Sequence, residues 1–188
     1  MGNAEKIDID VFKAVARAIA HSDDLEIMTG HLTQLLVGTL EIKGCSIFAL
    51  EPESGELELL SSFGLSVGYL NKGPVFSGKS IGNIKNGKPV IIRDLKDTDL
   101  LQYPQEASEE GIGAIVSVPI KFYSKNIGAL RLYHHEQWDI SEQDIDSLLV
   151  LAENIGLAMM YTRLLNALKE VKGTVNEVHS IWFNAIGG

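Results

Sequence analysis

The chain has 188 residues, 45% of them apolar and 22% charged, and a formal charge of −9. That length suits one buried core, and the apolar content excludes a disordered chain. The acidic balance argues against nucleic acid or an anionic membrane surface as partner, and Cys45, the single cysteine, excludes an internal disulfide and a cysteine-built metal knuckle.

The opening MGNAEKIDID is no signal peptide, and Lys6 stands where an N-myristoylation motif needs Ser or Thr. No uninterrupted apolar run reaches membrane-spanning length, so no membrane partner and a cytoplasmic location are expected. Val11, Val15, Ala18 and Ile19 recur at helical spacing and predict a first helix over 9–21. Ser22 or Asp23 caps a second helix, in which Ile27, Met28, His31, Leu32, Leu35, Leu36, Thr39 and Leu40 repeat at three and four until Gly44 ends it. Strands follow over 45–50 and 57–63, with Pro52, Ser54 and Gly55 in the turn.

Residues 64–77 read as a loop over the sheet, and 80–85 as a short helix ending near Gly87. A third strand at 88–93 feeds the polar loop 94–104, and 106–110 forms another short helix stopped by Gly111. The clearest hairpin pairs 114–122 with 127–134, turning near Ser124, Lys125 and Asn126. Its register puts Val118 and Ile120 on one face with Leu130 and Leu132, and sends Ser117 and Arg131 to the other. Strands that are apolar at nearly every position imply a sheet covered on both sides. The N- and C-terminal helices are expected over one face and residues 64–112 over the other, leaving a cavity between.

Ser141 is an N-cap with Asp144 at the third helical position, and helical signals run on toward residue 183. Leu148, Leu151, Ala152, Ile155 and Met159 are expected on the sheet. Beyond them Leu157, Tyr161, Leu164, Leu168, Val171, Val175, Val178 and Trp182 alternate in steps of four and three, the seam of a parallel two-helix contact with a second chain. The alternative is an amphipathic helix folded back onto its own domain, and Gly173 weakens the helix by about 1 kcal/mol relative to Ala. The expected organisation is a domain over 1–160 and a helical extension over 161–188.

Residues 73–80, GPVFSGKS, match GxxxxGK(S/T), in which backbone N–H groups, Lys79 and Ser80 would hold a nucleoside triphosphate and Mg²⁺. The residues before it read as a loop rather than a buried parallel strand, and Pro74, Val75 and Phe76 would crowd the phosphates. A P-loop nucleotide-binding protein therefore stands only as an alternative. His134 and His135, beside Glu136, point to opposite faces of a strand and are ill placed to chelate one ion. Asp94, Asp97 and Asp99 lack the Gly and Glu of an EF-hand loop, so no metal site is expected. Cys45 reads as a small buried hydrophobe rather than a reactive thiol. With no local Ser/His/Asp or Cys/His arrangement, catalysis is not expected. Arg131 sits between Leu130 and Leu132, where a charge is costly without a partner. Either it pairs with a carboxylate such as Asp94 at the sheet rim, or it reads an anion in the cavity beside Ser117 and Tyr133.

Taken in order, Gly78 and Gly82, Gly87-Lys88-Pro89-Val90, Asp94, Gly111-Ile112, Val118-Pro119-Ile120, Ile127-Gly128 with Leu130, and 141–144 resemble the GAF domain over residues 9–160. The resemblance implies an α+β fold with a PAS-like central antiparallel sheet. N- and C-terminal helices layer one face, loops and short helices cover the other, and a long C-terminal helix extends beyond. GAF domains bind cyclic nucleotides, bilins, haem or small metabolites, and here the cofactor is left open. The Asn-Lys, Phe and Asp-Glu set of the cyclic-nucleotide binders is missing: Tyr133-His134 stand near the first pair, Ile140 replaces the Phe, and Ile145 follows Asp144. Cys45 is not where bilin binders carry their thiol, and one cysteine argues against the methionine sulfoxide reductases of this type.

The implied function is a regulatory module of signal transduction that senses a small molecule or dimerises, and passes change through 157–182 to a downstream signalling domain or protein. A ligand-free structural dimerisation module is the alternative. Candidate pocket residues are Phe63, Phe76, Ile81, Ile91, Leu101, Tyr103, Ile112, Ser117, Arg131 and Tyr133, and the seam residues above would form the homodimer.

Overall fold

The computed structural model of the chain describes residues 7–78, 87–96 and 101–186, with side chains as far as residue 173. Helix α1 (Ile9–Ala20) starts at Asp8, whose carboxylate accepts the N–H groups of Asp10 and Val11 at 2.9 and 3.2 Å. Helix α2 (Leu25–Leu40) is capped by Asp24, not by Ser22 or Asp23. The Asp24 carboxylate reaches the N–H of Ile27, third in the helix, at 2.9 Å, which is the contact an N-cap requires. Ser22 instead donates to the Asp24 carbonyl, and Asp23 pairs with Lys169 at 3.4 Å. The helix ends at Glu41 in the left-handed conformation, φ 52°, so Gly44 is free to open the first strand.

Six strands make up the sheet among the described residues: β1 (Gly44–Leu50), β2 (Glu56–Phe63), β3 (Val75–Phe76), β4 (Val90–Ile92), β5 (Ala114–Phe122) and β6 (Lys125–His134). Their order is β3-β2-β1-β6-β5-β4, and every neighbouring pair is antiparallel. The P-loop alternative loses its frame here. Val75 and Phe76 pair with Leu57 and Glu56 as an edge strand, and no parallel strand leads into residue 73. Lys79, Ser80, Asp97, Asp99 and the helix expected at 80–85 lie outside the described residues.

The stretch expected to loop over the sheet holds both β3 and a one-turn helix, α3 (Val67–Leu70), started by the Ser66 hydroxyl, which accepts the Tyr69 N–H at 3.1 Å. One turn carries no periodic signal, which is why the pattern is silent there. Helix α4 (Pro104–Glu109) begins two residues earlier than expected because Pro104 fits the first turn, where its missing N–H costs nothing.

The hairpin has the predicted facing by a different route. Its turn is the two residues Tyr123 and Ser124, both at positive φ (46° and 61°), with Phe122 opposite Lys125. A bulge between Ile120 and Lys121 then shifts the register by one, so Val118 still faces Leu130 and Ser117 faces Arg131.

Alternation along these strands divides the core in two. On one side Cys45, Ile47, Val116, Val118, Ile120, Leu130 and Leu132 pack against Val11 and Val15 of α1, Leu32 and Leu36 of α2, and the C-terminal helix. On the other side Phe48, Leu57, Ile92, Ile115, Ala129 and Tyr133 meet Tyr69, Val75, Ala107 and Ile112.

The C-terminal helix α5 (Glu142–Ile186) is continuous over 45 residues. The Ser141 hydroxyl accepts the Asp144 N–H at 3.0 Å and donates to its carboxylate at 2.8 Å, while that carboxylate also takes the N–H of Ile7. Leu148, Leu151, Ala152 and Ile155 are buried on the sheet, as expected. Gly156 permits the close approach: a Cβ there would stand 2.4 Å from the Lys121 carbonyl oxygen. Past this point Leu157, Tyr161, Leu164, Leu168 and Val171 of the heptad seam face solvent. By length and composition Glu142–Gly173 is also long and apolar enough to cross a membrane, which a count of uninterrupted apolar runs overlooks; 44% of that apolar window is buried within the fold.

Candidate functional site

The side of the sheet away from the helices is covered by two segments stitched to each other. Gln102 accepts the Phe76 N–H at 3.1 Å and donates to the Pro74 carbonyl at 2.9 Å, and the Tyr103 hydroxyl donates to the same carbonyl at 2.8 Å. Gly73, at φ 126°, makes room for this: a Cβ would meet the Tyr103 hydroxyl at 2.8 Å. At the other end Glu110 accepts from the hydroxyl and the N–H of Ser66, and Lys43 approaches it at 3.4 Å. Burial works against the Glu110 charge, but Ser66 and Lys43 outweigh it and hold the carboxyl below its ordinary range.

Beneath this lid the sheet presents polar side chains. Ser46 and Ser62 share a hydrogen bond of 3.0 Å, and Ser62 also donates to the Cys45 carbonyl. Tyr133 is bonded by both Ser46 and Arg131, and Tyr69 meets its ring edge to face at 5.9 Å. Burial pushes both phenols above their ordinary range. The Arg131 guanidinium lies 5.3 Å over the Phe48 ring. Ser117, its partner across the ladder, is fully buried, and its hydroxyl has no hydrogen-bond partner among the described residues. From the lid, Lys72 donates to the Tyr69 carbonyl at 2.9 Å and sits 3.7 Å over the Tyr69 ring. Burial pulls its ammonium down to about 8, with the Arg131 charge adding to the effect and Glu106 and Glu110 opposing it.

A groove of about 400 Å³ opens beside this cluster, lined by Phe48, Leu57, Tyr133, Leu70, Lys72 and Val75 together with the acidic Glu56 and Glu58; Arg131 and Ser117 lie buried outside its lining. A larger recess of about 640 Å³ lies elsewhere, among Leu25, Leu60, Ile127, Met160 and Arg163 on the helix side. Its one lining cation, Arg163, is exposed, whereas Lys72 in the lid-side groove is half-buried, so the lid side is the better candidate for recognition.

The expected pocket residues are only partly assembled. Leu101, Tyr103, Ile112 and Tyr133 belong to the lid-side cluster, and Ser117 and Arg131 lie on the same sheet face. Phe76 is half-buried at the lid edge. Phe63 is 44% exposed at the end of β2 and stands outside the lid-side cluster. Ile91 packs on the helix side, since alternation in β4 turns Val90 and Ile92 to the lid instead. Ile81 lies outside the described residues. Arg131 is not at the rim: it is 3% exposed in a central strand, and Asp94 is engaged by Lys96. Phe48, Leu57, Tyr69 and Lys72 were missed. Ser66 with Tyr69 three residues on, a cap followed by an aromatic, was the available signal for the last two.

Cys45 is fully buried, and burial pushes its thiol far above the ordinary range. The rings of His134 and His135 are 6.5 Å apart, and His134 Nδ1 contacts the backbone of Glu136. Among the described residues no three His, Cys, Asp or Glu side chains come together to hold a metal ion.

The exposed seam is a second candidate surface. Leu157, Tyr161, Leu164, Leu168 and Val171 are each 57–63% exposed, so the helix does not fold back over them. The side chains of Val175, Val178 and Trp182 lie outside the described residues.

A model of the GAF domain family matches residues 22–160. A Nif-specific regulatory protein of Herbaspirillum seropedicae is 28% identical over 128 residues, which is 65% of this chain and 23% of that protein's length. The GAF domain of a phosphoenolpyruvate-protein phosphotransferase from Coxiella burnetii superposes with a TM-score of 0.77 at 18% identity, over 88% of this chain and 99% of that one. A free methionine-R-sulfoxide reductase from Neisseria meningitidis, in complex with its substrate, gives 0.71 at 14% identity, over 88% and 96%. At these identities the structural likeness establishes a shared fold.

Proposed function

The chain belongs to the GAF domain family, and from that premise we propose that it is a regulatory module of signal transduction that senses a small molecule beneath the lid and works as a parallel homodimer. The relative from Herbaspirillum seropedicae is a regulatory protein of which this module spans 23%, and the proposed output is a downstream signalling domain or protein. The proposed role is regulatory rather than catalytic and its location cytoplasmic; the one thiol, buried and protonated, is unsuited to act as a nucleophile.

One observation carries the reading: a single helix both packs on the sheet and presents the seam. Ile155 is buried on β5 and β6 while Leu157, two residues on, is 58% exposed. A shift of the hairpin that bears Ser117 and Arg131 therefore moves the seam directly, because Gly156 rests on Lys121. Ligand contacts that differ between two packings would bias the equilibrium between them.

The seam supports a like-with-like partner. Stepping back one heptad adds Val150, 48% exposed, and Asn154. Counted from Leu157 and Leu164 as d positions, Asn154 falls at an a position, where an Asn meets its own counterpart in a parallel dimer and fixes register. Native mass spectrometry tests the proposal. The intact chain should be dimeric and Leu164→Glu with Leu168→Glu monomeric; a monomeric intact chain would overturn it.

A further inference from the structure

Resting on the reading that α5 pairs with its own copy in parallel, we propose that Tyr123, at the tip of the β5–β6 hairpin, is a knob that enters a recess of the second copy. That recess lies between the end of α1, the start of α2 and α5. The knob is built against local preference. A two-residue turn with both residues at positive φ favours Asn and Gly, yet this one holds Tyr123 at φ 46° and Ser124 at φ 61°. Tyr123 stands 87% exposed, touching the Phe122 ring edge-on with centroids 4.5 Å apart. A large ring left in water on a strained turn does little for the fold of one chain, and a contact with another chain gives it a use.

Its position says which chain. The tip and α5 enclose a notch of about 410 Å³ lined by Lys121, Phe122, Tyr123, Ser124, Glu153 and Leu157. With Leu157 at a d position Glu153 falls at g, so the tip stands on the g flank of the seam. In a parallel pair the g flank of each helix lies against the e flank of the other. Ala158 and Leu165 occupy e positions. Beside them opens a recess of about 440 Å³, whose apolar walls are Ile19, Ala20, Met28, Ala158, Tyr161 and Leu165. His21, Ser22 and Asp23 rim it and can meet a phenol hydroxyl, while the Thr162 hydroxyl is engaged with the Ala158 carbonyl at 2.9 Å. An aromatic body with a polar tip suits such a lining. Knob and recess therefore flank the same seam on opposite sides, and a two-fold axis along it makes the contact twice. The seam also needs this surface. Its five described side chains, 57–63% exposed, offer roughly 200–350 Å², against about 800 Å² per partner in a stable interface. Tyr123 adds roughly 130–220 Å² of its own.

Sedimentation equilibrium of the full chain tests this with two substitutions. Tyr123→Asn suits the backbone of the turn and removes the ring, and Ala20→Phe, at an exposed position, fills the recess. Each should weaken self-association at least roughly tenfold while the urea midpoint of the monomer holds. Together they should weaken it no further than either alone. A monomeric intact chain would overturn the dimer and this contact with it. A dimer that tolerates Tyr123→Asn would end the knob and leave the seam standing. A dimer weakened by Tyr123→Asn but untouched by Ala20→Phe, or weakened additively by the two, would seat the ring elsewhere and overturn the recess.

Discussion

The two faces of the sheet come from the same alternating strands yet have opposite characters. Leu130 and Leu132 face the helices, and Arg131 between them faces the lid. The helix face is covered by three long amphipathic helices whose side chains interdigitate with it; the lid face is covered by short elements held by Gln102, Tyr103, Ser66 and Glu110. The helix side is thus expected to hold most of the stability, and under the proposed sensing role the lid side would respond while the fold stays intact.

The strongest way to break this contrast is truncation on each face. Leu130→Ala, at a fully buried site on the helix side, should cost about 2–5 kcal/mol in urea denaturation. Leu57→Ala, beside the edge strand on the lid side, should cost less, about 1–3 kcal/mol. Equal losses would remove the distinction. Next in size is the seam, which belongs to neither face. Leu164→Glu should leave the urea midpoint within about 0.5 kcal/mol at monomer concentrations, yet weaken self-association at least roughly tenfold by sedimentation equilibrium.

Ser117→Ala sharpens the contrast from the other direction. Removing a buried hydroxyl that has no hydrogen-bond partner among the described residues should stabilise the ligand-free chain by about 1 kcal/mol. A loss of that size would show the hydroxyl to be satisfied.

The smallest effect is a pH slope. The Lys72 ammonium titrates at about 8 when folded against an ordinary 10.5, so between these values the unfolded chain holds the extra proton. Stability should therefore rise with pH across that window, by an amount that solvent screening keeps small. The charges of Arg131, Glu106 and Glu110 act on the ammonium, which sits over the Tyr69 ring, and Lys72→Met should remove its share of the slope in unfolding midpoints taken from pH 7 to 10.

Legibility followed repetition. Helices α1, α2 and α5 and the β5–β6 hairpin announce themselves because each repeats its period several times. Even the facing of Ser117 and Arg131 could be read, since the bulge between Ile120 and Lys121 compensates the tighter turn. The lid could not. A four-residue helix and a two-residue strand have no period, and what fixes them is long-range: Glu110 on Ser66, Gln102 on Phe76, β3 on the edge of β2. Tyr69 and Lys72 were lost with those elements. Ile91 was misplaced because a strand of three apolar residues does not say which of them faces which side.

The claim on which the account depends most is that α5 meets its own copy in parallel and in register. Disulfide formation by Leu164→Cys tests it directly, because the native Cys45 is buried and unreactive. In a parallel seam each new thiol faces its counterpart, and mild oxidation should give a covalent dimer in high yield, with an off-seam control such as Lys169→Cys giving little. A chain that stays monomeric under oxidation, or that cross-links as well through residue 169 as through 164, would contradict the account.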